Sequence, residues 1–192
     1  MFELSLHPVI LAVSAADQRL MRRAKVEALR RRAREAAALS AQYGGFVLGA
    51  LEKDDAGVPL PSNGLYWSLS HKERMVAAVV SPRPVGIDLE RLAPMHSRMY
   101  DRIADAAEWA LAPYKIEKLF FRYWTAKEAV LKAVSKGLTR LDRCRVQAIV
   151  DDDHLQLQYE QAVWGVTHYW VGGDHLVTVT SDHVALQWHV LE

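Results

Sequence analysis

The sequence has 192 residues, of which 51% are hydrophobic and 24% are charged, as in ordinary globular proteins. Its 24 basic and 23 acidic residues give a formal net charge of +1, so no overall field points to nucleic acid or to a membrane as a partner. The single cysteine, Cys144, excludes an internal disulfide framework and indicates a reducing, cytoplasmic location.

The first half of the sequence predicts short strands around one long helix. The opening stretch MFELSLHPVILAVSAAD lacks the basic start of a signal peptide and is interrupted by Pro8, so we interpret it as a strand. The capping pattern from Ser14 to Asp17 then begins a helix that extends to about Ala41 and is ended or broken at Gly44. The strands predicted after it are LYWSLS at 65–70, MVAAVV at 75–80 and VGIDLE at 85–90.

The second half predicts helices followed by a series of strands. Helical patterns cover about 97–111, where Pro113 ends the pattern, and about 115–136, where Gly137 is the natural stop. No apolar run approaches the roughly 18 residues that a bilayer-spanning helix needs, so we expect no membrane segment. The short strands predicted after the second helix are 143–150, 154–160, 164–171, 175–181 and 185–191.

The two halves share one order of elements, a helical segment followed by about three antiparallel strands. The sequence therefore predicts an α+β fold of two pseudo-duplicated lobes, residues 1–92 and 93–192. In each lobe a helical segment is expected to pack on a roughly three-stranded antiparallel sheet, with the active site in the cleft between the lobes. Because one chain carries both lobes, we expect a monomer.

Two carboxylates stand at the end of a strand that otherwise has a buried pattern. Asp88 and Glu90 lie two residues apart in VGIDLE, so their side chains point to the same face. Strands often turn polar where they end, and that interpretation needs no function. Glu128 and Lys132 share one stripe of the second long helix, and a capping box with Thr125 or a surface ion pair would also explain them.

Other polar groups suit a phosphate ligand. Ser70 and His71 stand at a strand end, although such a pair is usually part of a turn, and the arginines at 30–34 are otherwise a solvated helix face. Carboxylates from distant parts of the chain would form an all-oxygen site, which suits Mg²⁺ and does not suit zinc or copper. The pattern thus predicts a metal-bridged pyrophosphate site, with His71, Lys132 and helix arginines as phosphate partners.

VGIDLE is followed by WTAKEAVLK, so that Glu128 comes 40 positions after Asp88. This pair of motifs at this spacing closely resembles the signature of the 4′-phosphopantetheinyl transferases. The chain length resembles their larger, monomeric Sfp-type branch, and the resemblance covers about residues 55–190. Members of this family move the phosphopantetheine arm of coenzyme A to a serine of an apo acyl or peptidyl carrier protein and release adenosine 3′,5′-bisphosphate. The resemblance therefore implies an enzyme with Mg²⁺ as cofactor, coenzyme A as co-substrate and a carrier protein as partner.

The resemblance also implies roles for individual residues. The metal ligands that it implies are Asp88, Glu90 and Glu128. The coenzyme A contacts that it implies are Ser70, His71 and Lys127, with Arg30, Arg31 and Arg34 as candidates for the 3′-phosphate. For catalysis, Glu128 or a metal-bound water held by Glu90 would be the base, and Lys132 would stabilise or protonate the leaving group.

Some positions depart from the family pattern. Val58 stands where relatives commonly have the lysine of Gly-Lys-Pro, so one cationic contact is missing or is supplied by Lys53 or Lys72. Ser135 replaces the first glycine of the usual Gly-Lys-Gly-Leu. The carrier surface is expected just after the metal motif, at Met95, Met99, Tyr100 and Arg102.

Two other functions are compatible with parts of this pattern. A non-catalytic coenzyme A or carrier-protein binding module with the same fold would bind coenzyme A without metal dependence. Another phosphotransferase or phosphodiesterase could use the same carboxylates, but neither a P-loop nor clustered metal-binding histidines are present in the sequence.

Overall fold

The computed structural model describes residues 5–113, 117–135, 138–182 and 184–192. The elements of the first half are β1 Ser5–Leu6, β2 Val9–Ala12, α1 Ala15–Gln18, α2 Arg22–Tyr43, β3 Tyr66–Lys72, β4 Met75–Ser81 and β5 Ile87–Arg91. Those of the second half are α3 Ser97–Ile103, α4 Ala106–Trp109, α5 Glu117–Ala133, a 3₁₀ helix Leu138–Arg143, β6 Cys144–Ile149, β7 His154–Tyr159, β8 Ala162–Val171, β9 His175–Thr180, β10 Ala185–Leu186 and β11 His189–Leu191. The predicted helix start at Lys115 and helix stop at Gly137 lie outside the described residues.

The first sheet packs against α2. It has four strands in the order β11-β2-β4-β3, with β11 parallel to β2 and the other neighbours antiparallel. The side of α2 that faces this sheet consists almost entirely of small residues, which let the helix lie close to the strands. Ser40 also accepts a hydrogen bond of 3.0 Å from the backbone N–H of Val80, so a buried side chain fixes α2 to β4. The buried α2 residues are Ala28, Leu29, Ala33, Ala36, Ala37, Ser40 and Ala41.

The second sheet packs against α5. It has five strands in the order β5-β9-β8-β7-β6, and every neighbouring pair is antiparallel. A large apolar core joins α5 to this sheet, and Phe120, Tyr123 and Leu131 of the helix are fully enclosed in it. Because α5 carries Glu128 and Lys132, the packing of this helix decides where those two side chains lie.

The two sheets pack face to face through a third apolar core. Ile10 and Val79 of the first sheet contact this core from one side, and Ile87 and Leu89 of β5 contact it from the other. Side chains alternate between the faces of a strand, so Asp88 points the opposite way, towards α5. The resulting layers are α2, first sheet, second sheet and α5. None of the described helices is both long and apolar enough to cross a membrane.

The mixed α+β class is confirmed, but the predicted duplication is not. The two larger sheets have four and five strands with different orders, rather than about three antiparallel strands each, and β1 and β10 form a separate parallel pair. Strand β5 pairs with β9 of the second sheet, and β11 returns to pair with β2 of the first. The strand pairing therefore does not divide the chain between residues 92 and 93, because each half contributes a strand to the other half's sheet.

The helices differ from the predicted pattern at their ends. The first helical stretch is broken between α1 and α2, where Arg22 has a φ of 48°. The segment predicted at about 97–111 forms two short helices, because Asp105 caps a new one by accepting from the backbone N–H groups of Ala107 and Glu108. After α5, Ser135 has a φ of 58°, a left-handed conformation that glycine adopts more readily than serine.

Candidate active site

Serine side chains join the edges of the two sheets where β3 runs beside β5. The hydroxyl of Ser68 accepts from the backbone N–H of Ile87 at 3.0 Å, and that of Ser70 accepts from Leu89 at 3.1 Å. The two serines are two residues apart, so both point to the same side of β3 and engage alternate N–H groups of β5. This arrangement holds the carboxylate-bearing strand against the first sheet without a regular ladder of backbone hydrogen bonds.

Asp88 lies at this junction and is only 5% exposed. Its Oδ1 atom accepts from the Ser70 hydroxyl at 3.0 Å and from the Lys132 ammonium at 2.7 Å. Its Oδ2 atom is buried and has no hydrogen-bond partner within the described residues. Because a buried carboxylate oxygen is costly without a partner, Asp88 is oriented to accept one more ligand.

Glu128 and Glu90 lie close enough to Asp88 for its charge to raise their pKa values. Burial, followed by the charge of Asp88, raises the pKa of Glu128 to about 7. The pKa of Glu90 is also raised, mainly by burial, although a hydrogen bond from Lys72 opposes that shift. The Oε1 atom of Glu128 is a second buried oxygen without a partner in the described part of the chain. The structure thus brings together the three predicted acidic residues.

Two lysines compensate for part of this negative charge. Lys132 donates to Asp88 and to the carbonyl oxygen of Ile87, the latter at 3.0 Å. Lys72 forms an ion pair with Glu90. Within the described ranges, no three acidic, histidine or cysteine side chains are gathered closely enough to form a ready-made metal site. A cation bound by all three carboxylates would therefore have to compete with these ammonium groups.

The donor atoms at the junction nevertheless fit a hard divalent cation. The two unpartnered buried atoms, Oδ2 of Asp88 and Oε1 of Glu128, are both carboxylate oxygens. Mg²⁺ prefers such ligands and keeps several waters or phosphate oxygens in its remaining positions. The residues that would hold it are Asp88, Glu90 and Glu128.

A basic surface from α2 and the following loop adjoins these carboxylates. The pKa of Lys53 is lowered by burial and by the charges of Arg30, Arg34 and Lys132. The pKa of His71 is lowered by burial, by Lys132 and by Arg30. In the described part of the chain, no carboxylate forms an ion pair with Arg30, Arg34 or Lys53. These cations are therefore free to take an anionic ligand.

The structure places two of the predicted ligand-binding residues elsewhere. Arg31 forms an ion pair of 3.2 Å with Asp17 of α1, so its charge already has a partner. The ammonium of Lys127 is enclosed, 1% exposed, in an ion pair of 2.6 Å with Glu108. It also donates to the carbonyl oxygen of Ile103 at 2.5 Å. Because its neighbours are protein atoms, Lys127 offers no open surface to a ligand in this structure, unlike the coenzyme A contact that the resemblance implies.

The sequence interpretation missed the part played by Ser68 and treated Ser70 as a phosphate contact alone. In the structure both hydroxyls support β5, and Ser70 also holds Asp88. The signal was present in SLSHK, where Ser68, Ser70 and Lys72 alternate along one side of β3. Lys72, proposed only as a replacement cation, extends this row to Glu90.

Comparison with known proteins gives matches across the carboxylate-bearing region. Residues 84–180, about half of the chain, match the sequence model of a family described as the 4′-phosphopantetheinyl transferase superfamily. The matched region contains β5, α5 and β9, and thus all three acidic residues of the site. It does not include Ser70, His71 or the basic surface of α2.

Individual relatives match over comparable parts of the chain. The 4′-phosphopantetheinyl transferase gsp of Aneurinibacillus migulanus is 29% identical over 90 residues, which are 45% of this chain and 38% of the relative. The 4′-phosphopantetheinyl transferase HetI of Nostoc sp. is 34% identical over 103 residues, 50% of this chain and 43% of the relative. A 4′-phosphopantetheinyl transferase of Bacillus subtilis is 28% identical over 120 residues, 59% of this chain and 52% of the relative. The chain thus spans about half or less of the length of these relatives.

Proposed function

The chain belongs to the 4′-phosphopantetheinyl transferase superfamily, and from that premise we propose that it transfers the 4′-phosphopantetheine arm of coenzyme A to a serine of an apo acyl or peptidyl carrier protein. The serine oxygen attacks the phosphorus that bears the arm. The bond from that phosphorus to the bridging oxygen breaks, and adenosine 3′,5′-bisphosphate leaves. The carrier serine proton must be removed during attack, and the leaving phosphate needs compensation for its growing charge.

The observation that carries this proposal is the buried carboxylate pair with unpartnered oxygens. Asp88 Oδ2 and Glu128 Oε1 come from a strand and a helix far apart in sequence, and both lack partners among the described residues. With Glu90, they are the residues proposed to hold Mg²⁺. When bound, Mg²⁺ would neutralise the pyrophosphate and stabilise charge that develops on its oxygens.

Glu128 is the residue best suited to accept the proton of the carrier serine. Its raised pKa of about 7 makes it a stronger base than an ordinary glutamate while it can still be ionised near neutral pH. Because Oε1 is the atom proposed to bind the cation, the other carboxylate oxygen, Oε2, would take the proton. A water held by Glu90 is the alternative base at the same junction.

Lys132 and the basic surface are proposed to hold the phosphates. Lys132 lies one helical turn beyond Glu128 and already donates to Asp88 at 2.7 Å, so its ammonium can also stabilise the departing bisphosphate. His71, Arg30 and Arg34 lie on the α2 side of the junction and would take the 3′-phosphate, with Lys53 as a further cation. Arg31 and Lys127 are left out of this set, because their charged groups are paired elsewhere.

The test is a transfer assay with coenzyme A, Mg²⁺ and apo carrier proteins of the fatty acid, polyketide and peptide types. We expect the carrier mass to rise by the mass of the arm, and we expect Asp88→Asn to abolish the reaction. Glu35→Gln removes an exposed carboxylate on α2 that pairs with Arg32, and it serves as the control. Coenzyme A binding without modification of any carrier would instead indicate a non-catalytic binding module.

A further inference from the structure

One face of α5 carries both proposed functional residues and the contacts that fix the helix to the second sheet. Thr125, Glu128, Ala129 and Lys132 are spaced as i, i+3, i+4 and i+7, which places them on one side of a helix. Lys132 contacts Asp88 near the end of this stripe, and Thr125 is bonded to the sheet at its beginning. The Thr125 contact therefore lies one turn before Glu128.

A chain of buried hydrogen bonds connects Thr125 to two strands. The hydroxyls of Thr125 and Thr178 on β9 are 2.6 Å apart. The Thr178 hydroxyl is 2.7 Å from Nδ1 of His168 on β8. Thr125 also donates to the carbonyl oxygen of Phe121 at 2.8 Å. Both threonines are fully buried and His168 is only 2% exposed, so water cannot replace these partners readily.

The contact between Thr125 and Phe121 indicates the direction of the hydrogen bonds in this chain. A hydroxyl oxygen 2.8 Å from a carbonyl oxygen must have its hydrogen between them, so the Thr125 proton is used on Phe121. Thr178 must then donate to Thr125, and Nδ1–H of His168 must donate to Thr178. The Nε2 atom of His168 is buried and has no partner among the described residues. Burial lowers the pKa of His168 well below 6.5 and so favours the neutral ring, with its proton on Nδ1.

Thr178, the sheet residue that Thr125 contacts, lies directly beside Asp88. Thr178 pairs with Asp88 across β9 and β5, and it pairs with His168 across β9 and β8. Opposite residues in an antiparallel pair point to the same face, so Asp88, Thr178 and His168 form one polar row under α5. A displacement of Thr125 from Thr178 would move Glu128, one turn further along the helix, relative to Asp88.

We propose that Thr125 and Thr178, oriented by His168, are positioning residues that set α5 in register with β5 and so align Glu128 and Lys132 with Asp88. This inference rests on the proposed function, because the alignment is the one that transfer of the arm would require. The three residues are buried, so none of them is placed to contact coenzyme A or the carrier. Their effect is expected on the geometry of the reacting groups rather than on binding of the substrate.

The test compares two substitutions of Thr178 that separate the effect of its hydroxyl group from the effect of its side-chain shape. Thr178→Val keeps the branched shape and removes the hydrogen bonds, whereas Thr178→Ser keeps the hydroxyl and removes a buried methyl group. At saturating Mg²⁺, we expect Thr178→Val to lower kcat by about 10- to 100-fold with a nearly unchanged KM for coenzyme A, as for a small misplacement of reacting groups. We expect Thr178→Ser to keep near-wild-type kcat despite a lower melting temperature.

The matched control removes a hydrogen-bonded threonine hydroxyl from the opposite face of the same sheet. Thr167 on β8 donates to the Ser181 hydroxyl at 2.8 Å, and Thr167→Val should leave kcat and KM unchanged. A Thr178→Val enzyme with wild-type kcat would overturn the inference. An equal loss of kcat in Thr178→Ser and Thr178→Val would also overturn it, because packing would then be responsible. If Thr178→Val does not fold, Thr178→Ser and Thr178→Ala replace the pair, and equal kcat values for those two would overturn the inference.

A binding measurement keeps this inference separate from the proposed function. Mn²⁺ in the presence of coenzyme A can be followed by electron paramagnetic resonance without turnover. We expect Thr178→Val to weaken Mn²⁺ binding about tenfold, as substitutions behind metal ligands do, and Thr178→Ser to bind as the wild type does. Failure of the wild-type chain to modify any carrier would count against the proposed function alone, whereas equal Mn²⁺ affinities in all variants would count against the register role.

Discussion

Gly86 and Ala129 are in direct backbone contact, where α5 crosses the entry to β5. A Cβ atom at Gly86 would lie 1.8 Å from the carbonyl oxygen of Ala129. The residue two positions after Gly86 is Asp88, and the residue before Ala129 is Glu128. The absence of a side chain at Gly86 therefore lets the helix lie close enough for these two carboxylates to interact.

We predict that Gly86→Ala both destabilises the protein and disrupts the site. The atom that the new methyl group meets belongs to the helix backbone, so no side-chain rotation can relieve the overlap. We expect a loss of about 3 kcal/mol in the free energy of unfolding, measured by urea denaturation. The control is Gly165→Ala on β8, where the nearest atom to the added Cβ is 3.5 Å away. Equal stabilities of the two variants would contradict this account of the contact.

Lys127 is predicted to contribute to stability rather than to coenzyme A binding. Its ammonium and the Glu108 carboxylate are 1% and 7% exposed, and they are 2.6 Å apart. Removing one partner leaves the other charge buried, so Lys127→Met should lower the free energy of unfolding by about 3–5 kcal/mol. Chemical denaturation measures this change, and isothermal titration of coenzyme A on the folded variant should give wild-type affinity.

A second substitution tests whether the buried charge is the cause. Glu108→Gln removes the charge that Lys127→Met leaves unpaired, while its amide oxygen can still accept from the backbone N–H of Val146, now at 2.8 Å. The double variant should recover part of the lost stability. If the double variant is less stable by the sum of the two single changes, the ion pair is not the origin of the effect.

Short sequence patterns were enough to predict which strand face and which helix face carry the acidic residues of the site. Asp88 and Glu90 share a strand face, and Glu128 and Lys132 share a helix face, whatever the rest of the fold does. That these two faces meet depends on β5 pairing with β9 and on α5 covering that pair. Family resemblance supplied this long-range step, which periodicity alone cannot supply.

The structure differs from the sequence interpretation for the same reason, because local patterns do not show long-range contacts. Lys127 and Glu128 are neighbours in sequence, but adjacent positions on a helix point about 100° apart, and only one of them reaches the carboxylates. Arg31 and Arg30 differ in the same way on α2, and only the position of α1 shows which is paired. Strand pairing shows no division at the predicted boundary between residues 92 and 93, because β5 belongs to the sheet of the second half, and pairing across so many residues leaves no local trace.

We predict that Arg30 contributes to binding of the 3′-phosphate of coenzyme A and that Arg31 does not. Arg30 lies near His71 and Lys53, whereas Arg31 is paired with Asp17 at 3.2 Å. Arg30→Ala should raise the KM for coenzyme A about tenfold, the value of one hydrogen-bonded charge contact, and Arg31→Ala should leave it nearly unchanged. Steady-state kinetics at low and high salt should show the Arg30 effect shrinking as salt rises.

The use of 3′-dephospho-coenzyme A makes this assignment specific. If Arg30 contacts the 3′-phosphate, Arg30→Ala should have little further effect on a substrate that lacks this group. Equal losses with both substrates would place Arg30 at the pyrophosphate or in the fold instead. Arg34→Ala, measured in the same way, should behave like Arg30→Ala because both cations influence Lys53.

The raised pKa of Glu128 predicts a pH dependence of stability in the absence of metal. The folded state holds the Glu128 proton up to a pH of about 7, whereas an unfolded glutamate releases it near 4.5. This contribution is therefore fully present below pH 4.5 and is lost as the pH rises through 7, where an ionised carboxylate must remain beside Asp88. Glu128→Gln, which cannot ionise, should be more stable than the wild type by about 2 kcal/mol at pH 8 and nearly equal to it at pH 4.5.

Urea unfolding of both proteins in a chelating buffer, at several values between pH 4.5 and pH 8, measures this difference. Glu35→Gln, an exposed carboxylate change on α2, should follow the wild-type curve throughout. Mg²⁺ added at pH 8 should stabilise the wild type and have less effect on Glu128→Gln, because the amide supplies no charge to the ion. Parallel curves for the wild type and Glu128→Gln would show that Glu128 is ionised in water-like surroundings, and the proposed base would then have to be the water held by Glu90.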